Sequence, residues 1–552
     1  MLKNLTAALI VAGIMTTAAF AQGVDVKSAI NDLSNRSGSI RQNAVMMLGS
    51  SNDRTVVSNI ESLAYDSDPG VRTAVCWALG QFKSPTSENI LNSLARDSKP
   101  EVRQAAVNAL GNYKSVMTGE TLVRATYDSD VNVRKSAINS LAIVKYEHAG
   151  SRLTALLSDS NPDVRTAAAI AMKSMNYNAP SSIVATGLKD PDSRVRTGAA
   201  QNLGTGGRED AISLLTPGLK DLNPAVRSNA ATSLGETKND KAIPYLITSL
   251  GDRTDSVGVS AAAALANIGP TAVPKIVDKL ESSENRVQKN CIRALAGMGG
   301  ANVDLLSEYS KRPELREISI WGLGETKSPK AFPAIFDGFS DNDEKIQQTA
   351  AEAMGKLGTA VIPDLKKEIE NPNEKVRLNM AKSVGYMPYA KESAEFLVDM
   401  MKDDKETVAA EASVSLSKYG NNVKPLLLET LKSDDEMQRT GAINALALMG
   451  KESAPTLREC LKDRSARVRA GAALGLGQMG DKVCANEIVQ LFENDNDPEV
   501  KRSCAWTIGK ICEPSEELMK RLVLEKTRAG GKKLPALQRT IEDTIRIFES
   551  KQ

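Results

Sequence analysis

The sequence predicts an all-α fold: an α-solenoid of about sixteen two-helix repeats closed by a C-terminal helical cap. Three observations predict it. A short motif recurs along nearly the whole chain. Apolar residues inside each copy follow a helical period. And 552 residues far exceed one compact core, since single cores stop growing near roughly 250–300 residues.

The motif is plain at VRTAVCWALG, ending at Gly80, and at VRQAAVNALG, ending at Gly111. It returns as VRTGAAQNLG at Gly204 and VRSNAATSLG at Gly235. Its arginine fixes a register. The slot falls at Arg41, Arg72, Arg103, Arg134, Arg165, Arg196, Arg227 and Gly258, then at Gln288, Arg316, Gln347, Arg377, Ala409, Arg439, Arg469 and Lys501. That is sixteen copies, eleven with arginine, and the first seven spacings are all 31 residues.

Each copy reads as two helices. The first is short, as in Ala242-Ile243-Pro244-Tyr245-Leu246-Ile247, with proline suited to a first turn. The second starts near turns such as Asp68-Pro69, Asn161-Pro162, Asn223-Pro224 and Asp497-Pro498, which signal helix N-termini. Seven residues past the slot every copy is apolar, from Leu48 to Ile508. Positions three, four and seven form one buried stripe, and small residues at two and six let neighbouring helices approach. Eight past the slot stands glycine in ten copies, which reads as the helix terminator. One helix pair cannot bury such a stripe alone; stacked pairs bury it continuously.

The D-x-x-x-x-V-R-x-x-A-x-x-x-L-G pattern resembles HEAT-like repeats of the phycobilisome-lyase type, over nearly the whole chain after the leader. The resemblance implies a binding scaffold with the second helices on the concave face, and it offers no shared catalytic residue to carry over.

An aspartate stands six before the slot in eleven copies, including Asp66, Asp97 and Asp128. Because the array repeats it, it reads as structural, either capping the second helix or meeting an arginine of its own or the next copy. The pattern lapses at Gly258, Gln288, Gln347 and Ala409, which makes 252–316 a candidate bend or seam.

At 100° per residue, the fifth position past the slot points away from the buried stripe. All three tryptophans of the chain occupy it, Trp77, Trp321 and Trp506, with Met46, Ile170, Val414 and Leu474 at the same position in other copies. Exposed tryptophan is a favoured interface anchor. This mixed, nearly neutral face suits a protein partner better than nucleic acid.

Residues 1–21 read as a secretory signal: Lys3, an apolar stretch from Leu5 to Ala18, and Ala19-Phe20-Ala21 as the cleavage pattern after Ala21. The array occupies 22–513, with no further run long enough to span a bilayer, and 514–552 form the cap. The expected location is periplasmic or secreted. Lys526, Arg528, Lys532 and Lys533 offer an anionic docking patch. An oxidising compartment permits disulfides, and Cys484 and Cys512, at the two ends of the last helix pair, are the candidate staple.

Composition excludes much else. One histidine, His148, rules out two-histidine zinc sites, and no C-x-x-C occurs. Aromatics at 4% disfavour stacking-based readers. A net charge of +2 gives no polyanion signature. The expectation is therefore a non-enzymatic scaffold without cofactor or metal, holding a protein partner as a component of a cell-envelope assembly. A lyase-like or chromophore-attachment factor is the alternative, and a nucleic-acid-binding HEAT-like protein the third reading.

Overall fold

The computed structural model describes residues 26–51, 53–177, 179–204, 208–281 and 284–550, and all secondary structure among them is helical. The signal sequence expected at 1–21 lies outside the described residues. The chain divides into two compact units, one ending at Ala272 and the other spanning Val273–Gln552.

In the first unit the second helices are Gly38–Ser50, Pro69–Phe82, Pro100–Leu110, Val131–Val144, Pro162–Ser174, Ser193–Leu203, Pro224–Glu236 and Asp255–Ile268. Shorter helices alternate with them, beginning at Val26–Asp32. The second unit repeats the plan from Val273–Glu281 and Asn285–Gly297 to Ala485–Asn494 and Pro498–Ile511. It ends in two longer helices, Glu516–Gly531 and Pro535–Glu549.

The second helices start where the turn chemistry requires. The side chains of Asp68, Asn161 and Asn223 accept the backbone N–H groups of Gly70, Asp163 and Ala225 at 2.7–2.8 Å. Proline follows at the first helical position in each case, where its missing N–H costs nothing.

Some stop at the glycine eight past the slot, as Pro100–Leu110 does before Gly111 and Ser193–Leu203 before Gly204, but others run past it. Gly80 and Gly235 lie inside their helices. The chain turns three residues later, in the left-handed region, at Lys83, Lys145, Lys238 and Lys327, or with positive φ at Gly269, Gly358, Gly420, Gly450 and Gly480. The eighth-position glycines serve close packing instead. A Cβ on Gly80 would stand 3.0 Å from the Ala109 Cβ, and one on Gly324 2.6 Å from the Ala353 Cα. Neighbouring second helices thus abut almost backbone to backbone, and the seventh-position residues, such as Leu79, Leu110 and Leu234, are fully buried. Each such side chain contributes roughly 1.5–3 kcal/mol.

A ladder of ion pairs runs beside this core. The slot arginines fork onto the aspartate of the following copy, except Arg316, which divides its donors between Asp341 and Asp337. Arg72 Nε reaches Asp97 Oδ2 at 2.7 Å, Arg103 reaches Asp128 at 2.6 Å and Arg377 reaches Asp403 at 2.6 Å. The same arginine donates through Nη1 to the carbonyl six residues before it, as Arg72 does to Asp66 O at 2.7 Å. The aspartate also accepts the backbone N–H two residues on, as Asp66 does from Asp68. One arginine therefore ties its own turn to the next copy's turn. Where arginine is missing the tie is partial: Gln347 keeps only the carbonyl bond, Nε2 to Asp341 O at 2.7 Å. At the last slot Lys501 Nζ meets Glu525 at 2.6 Å, joining the array to the helix Glu516–Gly531.

The ladder gives the fold a pH dependence. The hydrogen bond from Arg41 holds the Asp66 carboxyl below the usual carboxylate range, and Arg196 does so for Asp221. Burial raises Asp97, but Arg72 and the Lys99 amide more than offset it. A carboxylate with a depressed folded pKa stabilises the fold above its unfolded value, and this is lost as pH falls through the folded value. Urea midpoints followed by circular dichroism should hold nearly level from neutral pH down to about 5 and fall steeply below about 4, near the unfolded aspartate pKa. Midpoints unchanged at pH 3 would show that the ladder does not stabilise the array.

Candidate protein-interaction surface

The outward face of the second helices carries side chains that neither the stripe nor the ladder uses. The helical period aims the fifth position there, and the structure agrees. Asn108, Asn139, Ile170, Val414 and Asn444 are exposed, and Gln201, Arg293, Lys382 and Leu474 are half-buried. Met46 stands at the edge of exposure and Ile170 is 52% exposed.

The three tryptophans occupy this face but do not stand free of it; all three are half-buried. Trp77 lies over Gly49, so that a Cβ there would meet the ring at 2.6 Å, and Trp506 covers Gly477 at 2.8 Å. These rings pack across the groove between a helix and its predecessor, where the eighth-position glycine leaves room. Each of the two packs against the neighbouring helix and leaves the rest of its ring half-exposed.

The outward layer includes the ninth position past the slot, which was not singled out from sequence. There the second unit carries Lys356, Tyr386, Lys418, Leu448 and Lys510. Lys356 Nζ stands 5.8 Å from the Trp321 ring centre, Lys418 Nζ 5.1 Å from that of Tyr386, and Lys510 Nζ 5.4 Å from that of Trp506. Gln348 Nε2 donates to the Tyr386 hydroxyl at 2.7 Å, which fixes that ring across the strip. Lys356 is paired with Glu325, whereas Lys418 and Lys510 stand over ring faces, which orient an ammonium group without neutralising it.

The C-terminal basic group is largely paired. Lys526 meets Glu542 of the last helix at 3.1 Å, and Arg528 meets Glu525 of its own helix at 3.2 Å. Lys532 and Lys533 sit at the exposed turn between the last two helices, Lys533 with φ of 56°.

The disulfide expected between Cys484 and Cys512 is not formed. Both residues are buried, and the Cys484 Sγ is turned onto the Asp481 carbonyl at 3.1 Å, within its own turn. Burial pushes the Cys460 thiol up to about 11 and those of Cys291 and Cys484 to about 12, so none of the three is a thiolate near neutral pH. His148 is exposed on a single turn, edge-on to Tyr146 at 5.4 Å. Among the described residues no three His, Cys, Asp or Glu side chains are grouped to hold a metal ion. No single helix among them is long and apolar enough to cross a membrane.

Comparison with known proteins identifies the repeat. The family model for HEAT repeats matches residues 26–97, 87–173, 182–266, 301–367, 362–447, 423–509 and 454–528, together well over half of the chain. No curated protein sequence gives a significant match. Among solved structures, YibA of Escherichia coli is 21% identical and aligns over 46% of this chain and 98% of its own, with a TM-score of 0.37. Kap95p, in a structure with RanGDP, is 11% identical over 100% of this chain and 91% of its own, with a TM-score of 0.46. Importin beta is 13% identical over 99% and 92%, with a TM-score of 0.44. At these values none of the three carries an argument about function.

Proposed function

We propose, from the premise that the chain belongs to the HEAT-repeat family, that it is a non-enzymatic scaffold binding a protein partner on the outward face of its second helices. The observation that carries this is the division of labour among side chains. The stripe is buried, arginines and aspartates are locked into the ladder, and the fifth and ninth positions of successive second helices line up apolar, aromatic and charged groups that neither uses. Stacked repeats present such a layer as an extended surface rather than a pocket, which suits a macromolecule. The pattern of residues 1–21 supports export, so we place the scaffold in the periplasm or outside the cell, as part of an envelope assembly.

The test is affinity capture from the native cell envelope after mild crosslinking. Wild type runs beside a variant carrying Met46→Glu, Ile170→Glu, Val414→Glu and Leu448→Glu. These exposed positions are preferable to the tryptophans, whose removal would also open the packing over Gly49 and Gly477. A defined partner should be recovered with wild type and fall roughly tenfold or more with the variant, as expected when interface anchors become charged. Equal recovery from both baits would move binding off this face.

A further inference from the structure

We propose that the outward face of the second unit docks an extended acidic segment of a partner protein, in which carboxylates alternate with apolar side chains. This rests on the reading of that face as the partner surface and adds the chemistry of what it takes.

The two units differ at equivalent positions. In the first unit the fifth and ninth positions carry no lysine or arginine and are rich in amides, among them Gln81, Asn108, Asn112 and Asn139. In the second unit the same positions carry Arg293, Lys356, Lys382, Lys418 and Lys510 against only Glu325 and Glu352. The two acids are already engaged: Glu325 pairs with Lys356, and Glu352 accepts from Gln348 Nε2 at 2.9 Å. Among the described residues no acid pairs with Lys382, Lys418 or Lys510. The fold holds two of these amines over rings rather than beside carboxylates, at 5.1 Å for Lys418 and 5.4 Å for Lys510. Positive charge is thus oriented along a low-dielectric, aromatic-lined strip and left uncompensated, which attracts a carboxylate-bearing chain.

Spacing argues for an extended segment. Lys382 lies on Glu374–Val384 and Lys510 on Pro498–Ile511, four helix layers further on. At roughly 10 Å per layer the strip is about 40 Å long, the reach of about a dozen residues in extended conformation. Between the cations stand Val414, Leu448, which is 55% exposed, and the half-buried Leu474. Surface ion pairs are individually weak, so an occupant needs these apolar contacts as well as its carboxylates.

The probe is a labelled synthetic peptide of alternating Glu and Leu, with Gln/Leu and Lys/Leu controls, titrated into the full chain by fluorescence anisotropy. The Glu/Leu peptide should bind, weaken with added salt, and lose roughly tenfold or more with Lys382→Glu, Lys418→Glu and Lys510→Glu combined. The Lys→Gln version should lose less. Asn108→Glu with Asn139→Glu, in the first unit, should change nothing. A Gln/Leu peptide binding as well as Glu/Leu, or charge reversal without effect, would overturn the proposal. Capture of the native partner separates the two readings. Loss with the exposed-face variant but not with lysine reversal keeps the scaffold and removes the acidic segment; loss with neither removes both.

Discussion

Replacing Arg377 by alanine should lower the stability of the Val273–Gln552 unit by about 3 kcal/mol. Arg377 uses all three of its guanidinium nitrogens. Its Nε and Nη2 fork onto Asp403 at 2.6 and 2.9 Å, Nη2 also reaches Asp404 at 2.9 Å, and Nη1 donates to Asn371 O at 2.6 Å. The Arg377 and Asp403 side chains are only 9% and 6% exposed. Alanine would strip the counter-charge from a carboxylate that water barely reaches and orphan the Asn371 carbonyl. Arg464→Ala is the control. It removes a pair whose side chains are 65% and 100% exposed, and should leave stability almost unchanged because water screens it. Combining Arg377→Met with Asp403→Leu should recover much of the loss, because apolar replacement of both partners leaves no uncompensated charge. Urea denaturation of the three variants decides it. Equal small losses for Arg377→Ala and Arg464→Ala would mean that the ladder is surface decoration.

Gly324→Ala should destabilise the same unit by roughly 2 kcal/mol, although alanine is the better helix former. The reason is location: the added Cβ would stand 2.6 Å from the Ala353 Cα and 3.1 Å from its carbonyl oxygen, a backbone that cannot step aside without separating two helices. Gly471→Ala is the matched opposite. It is also inside a second helix, but its Cβ would meet nothing nearer than the Ile443 Cγ2 at 3.6 Å. That change should be neutral or stabilise by about 0.5–1 kcal/mol. Thermal melts of the pair should therefore move in opposite directions. Two shifts of the same sign would remove the close helix approach from the account.

The sequence revealed the repeat, its helix pairs and its buried stripe because each copy restates them. It left undetermined what the repetition itself conceals. The aspartate six before one slot is also 25 after the preceding one, as Asp97 is to Arg103 and Arg72, so a 31-residue period cannot tell a bond within a copy from one between copies. The structure shows the second kind. The terminator holds at Gly111 and Gly204 but was misplaced at Gly80 and Gly235, because lysine at positive φ, as at Lys83 and Lys238, has no signature in propensity, whereas the glycine at position eight does. Periodicity put Trp77 and Trp506 on the outward face correctly. It could not show the rings folding back over Gly49 and Gly477, because that depends on a neighbour 28 or 29 residues away. The lysine-over-ring strip could have been found by tabulating the ninth position together with the fifth.

The measurement that bears most directly on the central claim is site-specific photocrosslinking in the native envelope. The crosslinker is placed at Ile170 or Asn444 on the outward face of the second helices, or at the exposed first-helix residues Tyr245 and Leu428. The account predicts one protein adduct of fixed mass from the second-helix sites and none from the first-helix sites. Adducts from Tyr245 and Leu428 alone would contradict it.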